Sequence, residues 1–136
     1  MNPILKNILA VIVGVVVGSI VNMGLVMLGP MIIPMPAGVD VTSSESLAKS
    51  LHLFGFQHFI FPFLAHAVGT FVGAMLTAWI AVNRKMLFAM IIGLFFLIGG
   101  ITNIFMLPSP VAFTIIDLVF AYIPMAWFAG KIMTRK

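Results

Sequence analysis

MLFAMIIGLFFLIGGITNIFML, residues 86–107, carries no charged side chain and is framed by Arg84-Lys85 on one side and Pro108 on the other. A helix needs about 20 such residues to cross a bilayer core. Three further runs of the same kind cover about 4–33, 63–82 and 111–133. Hydrophobic residues make up 62% of the 136-residue chain and charged ones 7%, with a mean hydropathy of +1.25. A soluble domain of this size has too little interior to hide that much apolar surface. The expected fold is therefore all-α: a polytopic membrane protein forming a four-transmembrane-helix bundle, one integral membrane domain over 1–136, with an outer segment at about 34–62.

Charge placement orients the bundle. Lys6, Arg84, Lys85, Lys131, Arg135 and Lys136 lie at the chain ends or between spans two and three, and only Lys49 falls elsewhere. Short loops rich in Lys and Arg stay in the cytoplasm, which puts both termini inside, in a bacterial cytoplasmic (inner) membrane. The net charge of +4 is thus read as topology, and no nucleic-acid partner is expected; the lipid bilayer is. The first apolar run exceeds the ~7–15 residues of a signal-peptide core and is read as a true span. With no cysteine in the chain, disulfides, thiolate metal sites and thiol catalysis are excluded.

The halves share a pattern. Gly18-Ser19-Ile20-Val21-Asn22 matches Gly99-Gly100-Ile101-Thr102-Asn103, Ala78-Trp79-Ile80-Ala81 matches Ala126-Trp127-Phe128-Ala129, and Pro62 matches Pro110. This suggests a parallel two-hairpin repeat about an axis along the membrane normal. The first half carries an extra outer stretch, Met31–Phe61. Pro34, Pro36 and Gly38 open it as irregular chain. Thr42-Ser43-Ser44-Glu45 fits a capping box, predicting a helix from Ser43 to Phe54 with Leu47, Leu51 and Phe54 on one face, lying along the outer interface. Gly55 and Pro62 are the expected break points before span two.

Small residues recur every fourth position: Ala10, Gly14, Gly18 and Asn22 on span one; Ala65, Gly69, Gly73 and Thr77 on span two. That spacing keeps them on one helical face, where small side chains let backbones approach. Gly14, Gly18, Gly69 and Gly73 are therefore helix-packing residues. Trp79 and Trp127, just ahead of basic residues, fit an inner aromatic belt.

The polar residues inside the spans hold the candidate chemistry. Asn22 lies 16 residues from Lys6, Asn103 18 from Lys85, His66 18 from Arg84, and Asp117 14 from Lys131. At 1.5 Å per residue, all four stand about 21–27 Å from the inner boundary. One hydrogen-bonding side chain per helix thus falls in a single layer of the outer half of the membrane. Asp117 is the only acid within a span. A carboxylate in hydrocarbon must be paired, protonated or hydrated, and His66 is the one side chain at its level able to become its cation. The pair could hold or relay a proton, with Asn22 and Asn103 orienting it. His58 stands toward an outer entrance, and His52 reads as a solvated loop residue. Tyr122, about 140° around a straight helix from Asp117, should face a neighbour rather than the same cavity.

Two function classes compete. In one, an outer-facing intramembrane polar pocket binds or translocates a small solute or ion in a proton-linked way. In the other, the chain is a noncatalytic accessory or structural subunit whose polar layer fixes helix packing. Both fit a homo-oligomer or a larger membrane assembly. An intramembrane enzyme comes third, because no phosphate loop, zinc-protease pair or serine-nucleophile setting is present. No metal site and no cofactor is expected.

The topology is directly testable in a chain without native cysteine. In intact cells or oriented vesicles, a membrane-impermeant thiol reagent should label Ser44→Cys from outside, and Thr134→Cys only after the membrane is opened. Labelling of both from the same side removes the topology and the layer argument with it.

Overall fold

The computed structural model describes residues 1–135; Lys136, one of the basic residues that orient the chain, lies outside them. The described chain is all-helical. Helix α1 covers Pro3–Ile32, α2 Ser44–Ser50, α3 Ile60–Ile80, α4 Lys85–Met106, α5 Val111–Phe120 and α6 Ile123–Thr134. Short 3₁₀ turns at Leu51–Leu53 and Phe56–Phe59 join α2 to α3. Four helical stretches are long and apolar enough to cross a membrane: Pro3–Ile32, Phe56–Ile80, Lys85–Met106 and Val111–Thr134. Three match their apolar runs to within a residue, and the second begins at Phe56, ahead of the run at 63–82, because the 3₁₀ turn before α3 extends it.

The interior is built from small side chains, with the large ones outside. Ala74, Ala78, Ala89, Ile92, Ala126 and Ala129 form the main buried cluster. Ile4, Ile20, Phe105 and Val111 are among the large apolar residues left mostly exposed. In water this distribution would be untenable, whereas in lipid it is favourable, since association there relies on close packing rather than on hiding apolar surface. The same solvent explains α1. Its Val-rich core has modest intrinsic helix propensity, but hydrocarbon leaves the backbone no partner except itself. Asn2 caps the helix, its Oδ1 accepting the Ile4 N–H at 2.8 Å, with Pro3 in the first turn.

Helix α3 is the centre of the bundle, packing against α1 on one side and against α4 and α6 on the other. At the α1–α3 contact, a Cβ on Gly73 would lie 2.6 Å from the Gly14 carbonyl oxygen. One on Gly18 would lie 2.8 Å from the Gly69 carbonyl oxygen. Below these glycines the Thr77 hydroxyl is shared between the Ala10 carbonyl at 3.1 Å and its own helix at Gly73, 2.9 Å away. At the end of the hairpin, Asn7 Oδ1 accepts the Val82 N–H at 2.9 Å while its amide donates to Asn83 Oδ1 at 3.0 Å. The contact is closed from Asn7 to Asn22. Trp79 and Trp127 are both largely exposed near this end of the bundle, and Lys131 stands over the Trp127 ring.

Three local expectations need correction. The helix of the outer segment is capped by Ser43, not Thr42: Ser43 Oγ accepts the Ser46 N–H at 3.1 Å. Thr42 is already committed, giving both its N–H and its hydroxyl to Asp40 Oδ1. Those bonds, the hydroxyl's first, hold the Asp40 carboxyl below its ordinary range. Glu45 pairs with Lys49 instead of closing a capping box, and the α-helix stops at Ser50 rather than Phe54. Second, the chain breaks at Gly55 but not at Pro62. Pro62 sits in the first turn of α3, where its missing N–H costs no helical bond. Third, the last span is not one helix. Pro124 cannot donate to the carbonyl of Phe120 and its ring crowds it, so α5 ends at Phe120 and α6 restarts at Ile123, with Pro124 in its first turn.

The glycine contact yields a paired prediction. Gly73→Leu should force α1 from α3 and lower the unfolding free energy in detergent by about 1–3 kcal/mol, the usual range for overpacking. Gly24→Leu, with nothing within 4 Å of its added Cβ, should leave it nearly unchanged. Equal effects of the two would mean that the glycine face does not carry the hairpin.

Candidate functional site

The break in the last span builds the site. In an unbroken helix Tyr122 would point away from Asp117, but at the α5–α6 junction its backbone leaves the α-helical course, with φ −118° and ψ −79°. The side chain turns back, and its hydroxyl donates to Asp117 Oδ2 at 3.0 Å. This corrects the expectation that Tyr122 faces elsewhere. From α3, His66 Nδ1 meets Asp117 Oδ1 at 2.7 Å, and the imidazole stacks beside the Tyr122 ring, centroids 5.7 Å apart.

Asp117 is 3% exposed and Tyr122 2%. No Lys or Arg pairs with the carboxylate among the described residues. Its charge is instead met by two donors, one on each oxygen, which is what a buried carboxylate requires. The arrangement also selects the imidazole tautomer. With Asp117 ionised, the proton of neutral His66 sits on Nδ1, leaving Nε2 as a lone-pair acceptor. Nε2 has no hydrogen-bond partner among the described residues, and His66 lies on the wall of a cavity.

That cavity has a volume of about 570 Å³, within the usual range for small-molecule sites. Its polar floor is made by Asn22, His66, Thr70, Asn103 and Tyr122. A further wall comes from the C-terminal part of α1 and from the segment between α1 and α3, through residues such as Met23, Val26, Leu47 and Leu51. Asp117 itself stands behind His66 and Tyr122 rather than on the wall. Thr70 was not anticipated from sequence, although it lies one helical turn from His66 and shares its face.

The four residues of the polar layer are therefore brought together, but not as a single hydrogen-bonded cluster. His66 and Asp117 bond directly. Asn22 and Asn103 border the same cavity and make no hydrogen bond to the pair among the described residues, so orientation of the imidazole falls to Asp117 and Tyr122 and not to the asparagines. Asn22 Oδ1 is buried with no partner among the described residues, as is the Thr70 hydroxyl. Fixed polar atoms left unmatched beside a cavity are what a ligand or water would meet.

His58 also borders the cavity, at its outer part, but both ring nitrogens are engaged. Nδ1 accepts the Gly55 N–H at 2.8 Å and Nε2 stands 3.1 Å from the Pro34 carbonyl. It ties the start of the outer segment to the 3₁₀ turn ahead of α3. His52 is exposed, with Nδ1 at the Lys49 carbonyl. Phe54, Phe59 and Phe61 also line the cavity, whereas Phe56 is exposed. No group of three metal-ligating side chains occurs among the described residues.

Comparison with protein-family models, with curated proteins and with solved structures finds no match to this chain. Function must be argued from the site.

The donors on Asp117 can be weighed by substitution. Tyr122→Phe removes one hydrogen bond to a buried charge and should lower stability by about 1.5–3 kcal/mol. Asp117→Leu strands both the Tyr122 hydroxyl and the His66 N–H, and should cost more than Asp117→Asn, whose amide oxygen still accepts. Denaturant unfolding in micelles ranks the three; a Leu variant as stable as the Asn variant would deny the network its structural weight.

Proposed function

We propose that the protein binds and moves a small amphipathic solute through the cavity in the outer half of the membrane, with a proton exchanged on His66. One observation carries this reading: an imidazole held by a buried carboxylate, its other nitrogen unpartnered, on the wall of a cavity large enough for a solute. Asp117 and Tyr122 are positioning groups. Asn22, Thr70 and Asn103 hydrogen-bond the polar part of the solute, and the Phe, Met and Leu walls take its apolar part. An ionisable pair inside a span is costly to keep, which favours a role for its proton.

Both termini face the cytoplasm of a bacterial inner membrane, and the protein works as a homo-oligomer or within a larger membrane assembly. Helix α2 lies along the outer interface and covers the cavity through Leu47 and Leu51. The two-hairpin relation would extend to Pro62 and Pro110, Asn22 and Asn103, Trp79 and Trp127, but not to helix contacts, since Gly18 packs against Gly69 whereas Gly99 has open space beside it. The rival is an accessory subunit whose polar layer only locks helix register, and the full satisfaction of both Asp117 oxygens favours it.

Vesicles containing a trapped pH dye separate the two. With an imposed pH gradient and a panel of cationic, neutral and anionic aromatic solutes, at least one class should dissipate the gradient faster with wild-type protein than with His66→Gln. The difference should be at least about tenfold, the scale of losing a proton-transfer group. No solute-dependent proton movement with wild-type protein would leave the accessory-subunit reading.

A further inference from the structure

Resting on the proton-linked reading of this cavity, we infer that its ligand is an apolar primary amine in its protonated form, an aryl- or alkyl-ammonium, which competes with the proton on His66. The first ground is charge. No Lys or Arg borders the cavity, and with His66 neutral the formal charge nearest the floor is the Asp117 carboxylate, 2.7 Å behind the imidazole. In a medium of low dielectric such a charge favours a cation and disfavours an anion.

The second ground is the inventory of hydrogen-bonding atoms. An ammonium carries three donors and no acceptor. Three atoms able to accept have no partner among the described residues: Asn22 Oδ1 and Thr70 Oγ1, both buried beside the floor, and His66 Nε2. Asn22 on α1 faces the stretch of α3 that carries His66 and Thr70. The Asn22 Cβ stands 3.0 Å from where a Gly69 Cβ would be, and Gly69 adjoins Thr70 and lies one turn from His66. Thr70 is completely buried, yet its hydroxyl has no partner among the described residues. Buried polar atoms are rarely left so without a ligand or water to meet them.

The third ground is the wall. Phe59, Phe61, Phe96, Phe113 and Tyr122 present rings around the floor. Aromatic faces attract cations and accommodate apolar bulk.

Competition follows from the tautomer. Protonation of Nε2 removes an acceptor and places an imidazolium next to the ammonium. The titratable groups around His66 are few: Asp117 and Tyr122 across the α5–α6 junction, and His58 at the outer rim. The residues that α1 and α4 contribute to the cavity are uncharged.

Three soluble probes of similar size separate charge from donors: 2-phenylethylammonium, trimethyl(2-phenylethyl)ammonium and 3-phenylpropanoate. Equilibrium dialysis against the purified full-length protein in an uncharged detergent should show saturable binding of the primary ammonium. It should bind at least about tenfold more tightly than the trimethyl analogue, which lacks donors, and more tightly still than the carboxylate. Because one proton and the ammonium compete for Nε2, the ammonium's affinity should fall as the pH is lowered, by at most about tenfold per unit. That dependence should vanish in His66→Gln and persist in His58→Gln. Asn22→Ala should weaken binding several-fold without altering the pH profile.

Tighter or equal binding of 3-phenylpropanoate overturns the inference. So does a trimethyl analogue that matches the primary ammonium, a flat pH profile in wild-type protein, or no saturable binding of any probe. Solute-linked proton movement in the vesicle assay that depends on His66, together with any of these, refutes the ammonium alone; loss of both refutes the proton-linked reading as well.

Discussion

A carboxylate that must stay charged or be neutralised within hydrocarbon constrains everything around it. Asp117 resolves the problem with a donor on each oxygen, His66 on α3 and Tyr122 at the α5–α6 junction. Each comes from a different place in the bundle, so the network requires α5, α6 and α3 to hold one arrangement. It also explains the break in the last span. An unbroken helix would carry Tyr122 out of reach, and the carboxylate would be left with one donor on one oxygen. Pro124 is the residue that makes the alternative geometry available.

Opposite this junction, α1 and α3 approach so closely that backbone meets backbone. Gly14, Gly18, Gly69 and Gly73 supply the approach, and Thr77 supplies an interhelical hydrogen bond. The same contact sets Asn22 beside Gly69 and hence beside the polar floor. Helix packing and site geometry are consequently one feature: the small-residue face that joins the hairpin also delivers a polar side chain from α1 to the cavity. The outer segment closes the upper side. Its position depends on local hydrogen bonds, Ser43 at the start of α2 and His58 at the end, rather than on a packed core of its own.

The spans were legible because bilayer thickness demands a fixed length of apolar chain, and that demand is written residue by residue. The glycine faces were legible because a four-residue spacing survives any arrangement of the helices. The pairing of His66 with Asp117 was legible as well, from similar distances to the basic anchors, about 27 and 21 Å, and from the absence of another cation near that level. Tyr122 was not. An angle counted along a continuous helix turns Tyr122 away from Asp117, and the break ahead of Pro124 makes that helix discontinuous. Thr70 was passed over because a threonine in a span normally satisfies itself on its own helix, and only the structure leaves its hydroxyl without a partner.

By itself the sequence determined that four stretches are long and apolar enough to cross a membrane, the closely packed face of the first hairpin, and the spacing of the polar residues from the basic anchors. These depend on composition and on periodicity along one helix, and both are local properties. The tertiary structure alone decided which polar atoms meet and which are left over. Asn22 and Asn103 share the depth of His66 and Asp117 yet bond to neither, because depth constrains one coordinate and a hydrogen bond of about 3 Å constrains all three. It also decided that the layer opens on a cavity rather than filling with side chains. A cavity is the difference between the volume that helices enclose and the volume their residues occupy, and no single helix carries that quantity.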